Sequence, residues 1–329
     1  MYSFTSIFRG RESQDMKRVV YFCPNVTAPT GGVKIIHRHS ELINQIGGSS
    51  AVYYHVGLVD NKIDWFSHNA SIKTDNVFIP EIDFVILPES MIFNFWRELK
   101  SLNIGYGIFI QNGYLVRNGI PEEEIDTCYE SAALLFCISD DVVNCIYQFF
   151  PQHFHKVVRV TYSIDTNVFR IGKKEKIITY MPRKMKEHSN LLIPTLSNRL
   201  PEGWKIVPIE NMSEAQVADT MSKSQIFLAF SDFEGLPIPP VEAALSGNFV
   251  IGYTGQGGKQ YWNRPIFTAI EAGDIAGFLD ATLQKVHGVE KDNIIITENH
   301  LSFLKELFSK DMEIKMLRKM LQRIYEYCR

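Results

Sequence analysis

The sequence predicts an α/β fold of two domains, each built on a largely parallel sheet. Three observations lead there. Short apolar runs rich in Val, Ile and Phe alternate with amphipathic segments, which is the pattern of βαβ units. A charged stretch carrying Gly172, "RIGKKEK", separates two such sets. The length of 329 residues corresponds to about two domains at roughly 150 residues each.

The elements follow in order. "RVVYFCPN" is a buried strand ended by Pro24 and Asn25, and "TAPTGG" is a loop. "VKIIHRHSELINQIG" places Val33, Ile36, Leu42, Ile43 and Ile46 at helical spacing, and Gly47 stops it. "SAVYYHV" completes the first unit. Strand "DFVILPE", helix "SMIFNFWRELKSL" and strand "GYGIFIQN" come next, then helix "EEEIDTCYES" and strand "ALLFCIS". Helix "DDVVNCIYQFF" begins at Ser139 or Asp140, both good caps. "KVVRVTYSID" closes the set.

The second set reads as strand "EKIITYMPR", helix "NLLIPTLSNRL", strand "WKIVPIE", helix "SEAQVADTMSKS" and strand "QIFLAFS". Helix "PPVEAALSG", strand "FVIGY" and helix "DIAGFLDATLQKVHG" follow. The tail from about Ser302 to Cys328 reads as one long amphipathic helical region. The expected division is an extension at 1–17, a first domain at 18–171, a second at 172–300 and a helical segment at 301–329.

Composition narrows the function. With 45% hydrophobic and 22% charged residues the chain can bury a substantial core. A net charge of -3 excludes the basic excess of a typical nucleic-acid binder. Five cysteines, an odd number without a C-x-x-C pair, read as reduced, mostly buried thiols of a cytosolic protein. "MYSFTSIFRGRESQDMKR" lacks the apolar core and cleavage site of a signal peptide, and no run of about 18 apolar residues would span a membrane. No D-x-D motif or other metal constellation is legible; "SDD" at 139–141 reads as a helix cap.

The most informative stretch is "SDFEGLPIPPVEAALSGNFVIGYTGQGG", Ser231 to Gly258. Glu234 falls in the loop after a strand, and Glu242 in the first turn of the next helix, where prolines suit the start. Both lie at the carboxyl edge of a parallel sheet, where ligands bind. A carboxylate accepts two hydrogen bonds and so matches neighbouring sugar hydroxyls. Two carboxylates could hold the ribose and the transferred sugar of one nucleotide-sugar. The helix dipole alone favours Glu242 in its turn by about 0.3–1 kcal/mol, so the surrounding residues must decide.

They resemble the E-x(7)-E signature of retaining glycosyltransferases with the GT-B fold, the group 1, family 4-like glycosyl transferases. Ser231, Glu234, Gly235, Pro239, Glu242, Ala243, Ala244, Gly247, Val250 and Ile251 match the pattern, while Pro237 replaces a frequent glycine. The resemblance implies two Rossmann-like domains with parallel sheets facing across a cleft. Glu234 would meet the transferred sugar and Glu242 the donor ribose, with Gly235 and Leu236 beside them. "PTGGVK" resembles the family's glycine-rich first loop, with Gly31 and Gly32 letting the backbone approach the donor. "VVRVTYSIDTNVF" resembles the segment that ends the first domain, through Ile164, Asp165 and Phe169. "IITYMPRKMKEH" resembles the G-R-x(4)-K-G stretch that meets the donor diphosphate. Arg183 is in place, Lys184 and Lys186 are candidates for the second cation, and the preceding glycine is absent. Arg grips phosphate oxygens bidentately and Lys adds a point charge. "YTGQGGKQYW" would border the donor pocket through Gly257 and Gly258, and "FIQNGYLV" offers Gln111 and Asn112 to acceptor or sugar hydroxyls. His37, His39 and His55 are out of register for the family's first-domain histidine.

What the resemblance implies is retaining, metal-independent transfer of a hexosyl or deoxyhexosyl group. The donor is a nucleotide-diphosphate sugar and the acceptor a hydroxyl of a glycan or lipid-linked molecule, in surface polysaccharide or glycoconjugate synthesis. Glu234, Arg183 and Lys186 form the expected catalytic group, without cofactor or metal. The terminal helical segment would pack back on the first domain. The expected location is the cytoplasm, with peripheral association at the inner face of the membrane left open; the oligomeric state is not legible. An inactive GT-B-like scaffold for a partner glycosyltransferase is the alternative that Pro237 and the missing glycine favour. A nucleotide-sugar epimerase and a phosphorylase share the fold; the latter would carry a pyridoxal lysine.

Overall fold

A computed structural model describes residues 17–26, 28–55, 63, 65–292 and 294–328. The expected N-terminal extension lies outside the described residues except for Lys17, whose ammonium donates to the Pro80 carbonyl at 2.6 Å.

The first lobe holds β1 (Arg18–Phe22), α1 (Gly31–Gln45), β2 (Ser49–Tyr53), β3 (Ile72–Lys73), β4 (Asp83–Pro88), α2 (Ile92–Ser101), β5 (Gly105–Ile110), α3 (Glu122–Ser131), β6 (Leu134–Cys137), α4 (Asp140–Phe149) and β7 (Val157–Arg159). Its seven strands are all parallel, in the order β3-β2-β1-β4-β5-β6-β7. The second lobe holds β8 (Ile177–Tyr180), α5 (Lys186–Ser197), β9 (Lys205–Pro208), α6 (Glu214–Lys223), β10 (Ile226–Ala229), α7 (Pro239–Leu245), β11 (Phe249–Gly252), β12 (Phe267–Ala269) and α8 (Ile275–Asp292). Its parallel sheet runs β12-β11-β10-β8-β9. Two helices end the described chain, α9 (Glu298–Leu307) and α10 (Lys310–Tyr327).

Every residue of β4, β10 and β11 is buried. Helices cover both faces of each sheet, so the central strands read as unbroken apolar runs. Strand order reverses between β1 and β4 in one sheet and between β8 and β10 in the other. Loops at a reversal leave in opposite directions and open a crevice at the carboxyl ends of the strands. The two crevices face each other.

The helical tail is made of two helices. It breaks at Phe308–Ser309, and Ser309 restarts it by accepting the Met312 amide on its hydroxyl at 3.1 Å. α10 returns to the first lobe and packs on α1, β6 and β7. The chain therefore crosses between lobes twice, near Ser163 and near Phe308. A main-chain bond from the Ile164 amide to the Phe308 carbonyl ties the crossings at 3.0 Å. Glu313 of α10, fully buried, accepts the Ser163 amide at 2.9 Å. No helix among the described residues is long and apolar enough to cross a membrane.

Candidate active site

Between the facing crevices lies a cavity of about 410 Å³, within the range of small-molecule sites. Loops after β1, β4 and β5 supply one wall, and loops after β8, β9 and β10 the other.

Glu234 stands in the loop after β10. Its amide donates to the Gly255 carbonyl at 2.8 Å, and its carbonyl accepts from Gly257 at 3.0 Å. The carboxylate pairs with Lys184, from the loop after β8. Arg183, beside Lys184, is exposed, lines the cavity and makes no ion pair among the described residues. A second hollow of about 450 Å³ continues from there, bounded by Arg183, Lys184, His188, Asp232 and Glu234. Glu242 occupies the first turn of α7, which opens on Pro239 and Pro240. Burial pushes its carboxyl above the usual carboxylate range, and Lys34 of α1, 3.3 Å away, pulls it back. Lys34 also pairs with Glu214, the first residue of α6. Burial works against the charge on Lys34, yet Glu242 and Glu214 outweigh it and hold the ammonium above its ordinary value.

Gln111 and Asn112 directly follow β5; Asn112 reaches across to the second lobe, and Gln111 turns to α1 of its own lobe. The Asn112 side-chain Nδ2 donates to the Phe233 carbonyl at 2.6 Å, and the Gln111 side-chain Nε2 to the Gly32 carbonyl at 3.4 Å. Gly31, Gly32, Gly235 and Leu236 complete the wall around them. A Cβ on Gly235 would lie 2.0 Å from the Gln111 carbonyl oxygen, so only glycine allows this approach of the two backbones. Three expected residues do not line the cavity. Lys186 is exposed at the start of α5. Gly257 and Gly258 are buried behind the wall; a Cβ on Gly257 would meet the Gly235 carbonyl oxygen at 1.8 Å, so its smallness serves packing. Pro237 turns its carbonyl to two buried tyrosines, Tyr261 at 2.8 Å and Tyr162 at 3.3 Å.

Lys34, Glu214 and Glu89 escaped the reading of the sequence. Glu89 sits buried just past β4, accepts the Gln111 and Asn112 amides at 3.2 and 3.0 Å, and is pushed up to about 7 by burial. Its signal was available: it is a carboxylate at the carboxyl end of a strand, in "DFVILPE".

Solved structures share this architecture. A sucrose-phosphate synthase from Thermosynechococcus elongatus superposes with a TM-score of 0.66 at 10% identity, covering 94% of this chain and 99% of its own. The chain has the GT-B fold. A glycosyltransferase from Rickettsia africae gives a TM-score of 0.65 at 14% identity over 95% of this chain and 99% of that one. HepE from Anabaena, solved in complex with UDP-glucose, gives 0.66 at 9% identity over 93% and 99%. No protein-family model and no curated protein matches the sequence.

Proposed function

We propose that this GT-B chain is a retaining, metal-independent glycosyltransferase that moves a sugar from a nucleotide-diphosphate donor to a hydroxyl of a glycan or lipid-linked acceptor. One observation carries the reading: a single cavity between the lobes gathers Glu234 from the loop after β10, Glu242 from the first turn of α7, and Arg183 and Lys184 from the loop after β8. The three solved structures support it, since two are named for sugar transfer or synthesis and the third holds UDP-glucose.

In this reading Glu242 accepts hydroxyls of the donor ribose and Glu234 those of the transferred sugar. Arg183 and Lys184 face the diphosphate. The acceptor oxygen bonds to the anomeric carbon on the face that the diphosphate leaves. The anomeric carbon–oxygen bond breaks, and the acceptor proton passes to the departing phosphate oxygen. Fixed cations stabilise charge that grows on the leaving group. Lobe closure excludes water.

Titration calorimetry with UDP, GDP, ADP and their sugars identifies the donor, and anomeric NMR of the product reads the stereochemistry. Arg183→Ala is expected to lower kcat about 100-fold or more, as loss of one charge-stabilising donor does. Glu242→Gln is expected to weaken donor binding. Unchanged kinetics in both variants would refute the assignment, and an inverted product would refute retention. The scaffold alternative has one observation in its favour: both carboxylates already pair with lysines. It requires that the wild-type protein bind no nucleoside diphosphate in the same calorimetric titration.

A further inference from the structure

We infer that Lys34 is a positioning residue for the ribose end of the donor: reaching from the first lobe, it orients Glu242 and makes nucleoside binding depend on closure of the lobes. The inference rests on the glycosyltransferase reading and assigns a role that the E-x(7)-E resemblance does not contain.

The geometry is a three-membered ion cluster that spans the cleft. Lys34 projects from the first turns of α1, with its side chain 15% exposed, towards two carboxylates of the other lobe. Glu242 is more enclosed still, at 9%. The ammonium also stands 5.5 Å from the centre of the Phe169 ring, on the segment that leads out of the first lobe. The Glu214 amide donates to the Trp65 carbonyl of the first lobe at 3.0 Å, so main chain ties the lobes at the same place. Lys34, Glu214 and Glu242 all border the cavity.

A buried carboxylate left without a partner tends to take up a proton, and a protonated acid accepts poorly from a ribose diol. Lys34 opposes this by its charge. Arg38, further along α1, acts in the same direction, whereas Glu214 on α6 acts against it as a like charge. Tyr162 lies near Glu242 on the inter-lobe segment. When the lobes part, Lys34 leaves with the first and Glu242 loses its cation. Closure and nucleoside recognition are then one event.

Substitution separates this role from a plain structural tie. The probe is whichever nucleoside diphosphate the wild-type protein binds, titrated calorimetrically from about pH 5 to 8, where carboxylates and histidines change charge. Lys34→Met is expected to weaken binding about tenfold or more, as removal of one partner of a desolvated charge pair does. It is also expected to move the acid limb of the binding profile to higher pH. Lys34→Arg restores most of both. Glu214→Gln, which leaves the cation to Glu242 alone, moves the acid limb to lower pH. Lys34→Met with wild-type affinity and acid limb overturns the inference and leaves the glycosyltransferase reading standing. Absence of any nucleoside diphosphate binding by the wild-type protein overturns both. Should Lys34→Met fail to fold, an unmoved acid limb in Glu214→Gln overturns the inference by itself.

Discussion

At Gly235 the two lobes meet backbone to backbone. A methyl group there would lie 2.0 Å from the Gln111 carbonyl oxygen and 3.0 Å from a Val142 side-chain carbon. Gln111 is anchored from behind by Glu89, so the first lobe has little room to give. Gly235→Ala is therefore expected to hold the cleft ajar. Displacement of about 1 Å at reacting atoms costs roughly 100-fold, and kcat/KM is expected to fall by about that factor while the melting temperature stays close to wild type. Wild-type kinetics in this variant would show that the closed geometry is not the catalytic one. The same neighbourhood shows what a sequence discloses at this scale. Glu234 and Glu242 were legible because one loop and one helix turn place both, eight positions apart in a single stretch. Lys34 and Glu242 are separated by 208 positions, and no local rule couples them. Arg183 was singled out through the resemblance of "IITYMPRKMKEH" to the family's diphosphate-binding stretch, whereas the pairing of its neighbour Lys184 with Glu234 required coordinates.

Among elements, the long buried strands were readable because each is a continuous apolar run. β3, with two residues, and β12, with three, are too short to leave a periodic mark, and pairing with β2 and β11 defines them. The break between α9 and α10 was hidden for the opposite reason. Apolar residues continue at helical spacing through "LSFLKELFSKDMEIKMLRKML", and only Ser309, a good N-cap, marks the restart. α10 owes its place to one buried face, Leu317, Met320, Leu321 and Ile324 among it. Leu317 is fully buried. Leu317→Ala is expected to cost about 2–5 kcal/mol through lost transfer energy and an unfilled cavity, read as a lower urea midpoint. A loss below half a kcal/mol would mean that α10 is not bound to the first lobe in solution.

On the scale of the whole molecule, buried titratable groups set how stability varies with pH. Burial pushes Glu89 and Glu313 up to about 7 and His37 and His39 down to about 4. The carboxyls, raised above their ordinary value of 4.5, lend stability at low pH that is lost as pH rises through about 7. The histidines, lowered from 6.5, lend stability at neutral pH that is lost as pH falls through about 4. The two trends offset each other over much of the acid range. One substitution isolates a single contribution. Glu313 faces Ser163, His39 and Arg38, with Lys310 on its own helix. Glu313→Gln cannot ionise, so urea unfolding of the variant is expected to gain on wild type as pH rises from 4.5 towards about 7. A constant difference between the two proteins would show that Glu313 does not titrate in that window.

The paired crossings at Ile164 and Phe308, joined by a main-chain bond, make a door hung on two pins. A single strand would let one leaf twist and slide against the other. Two strands pinned side by side resist torque and leave a swing about one line. An arriving ligand then has one coordinate to arrest, and whatever brings the jaws together at one end aligns them along their whole length.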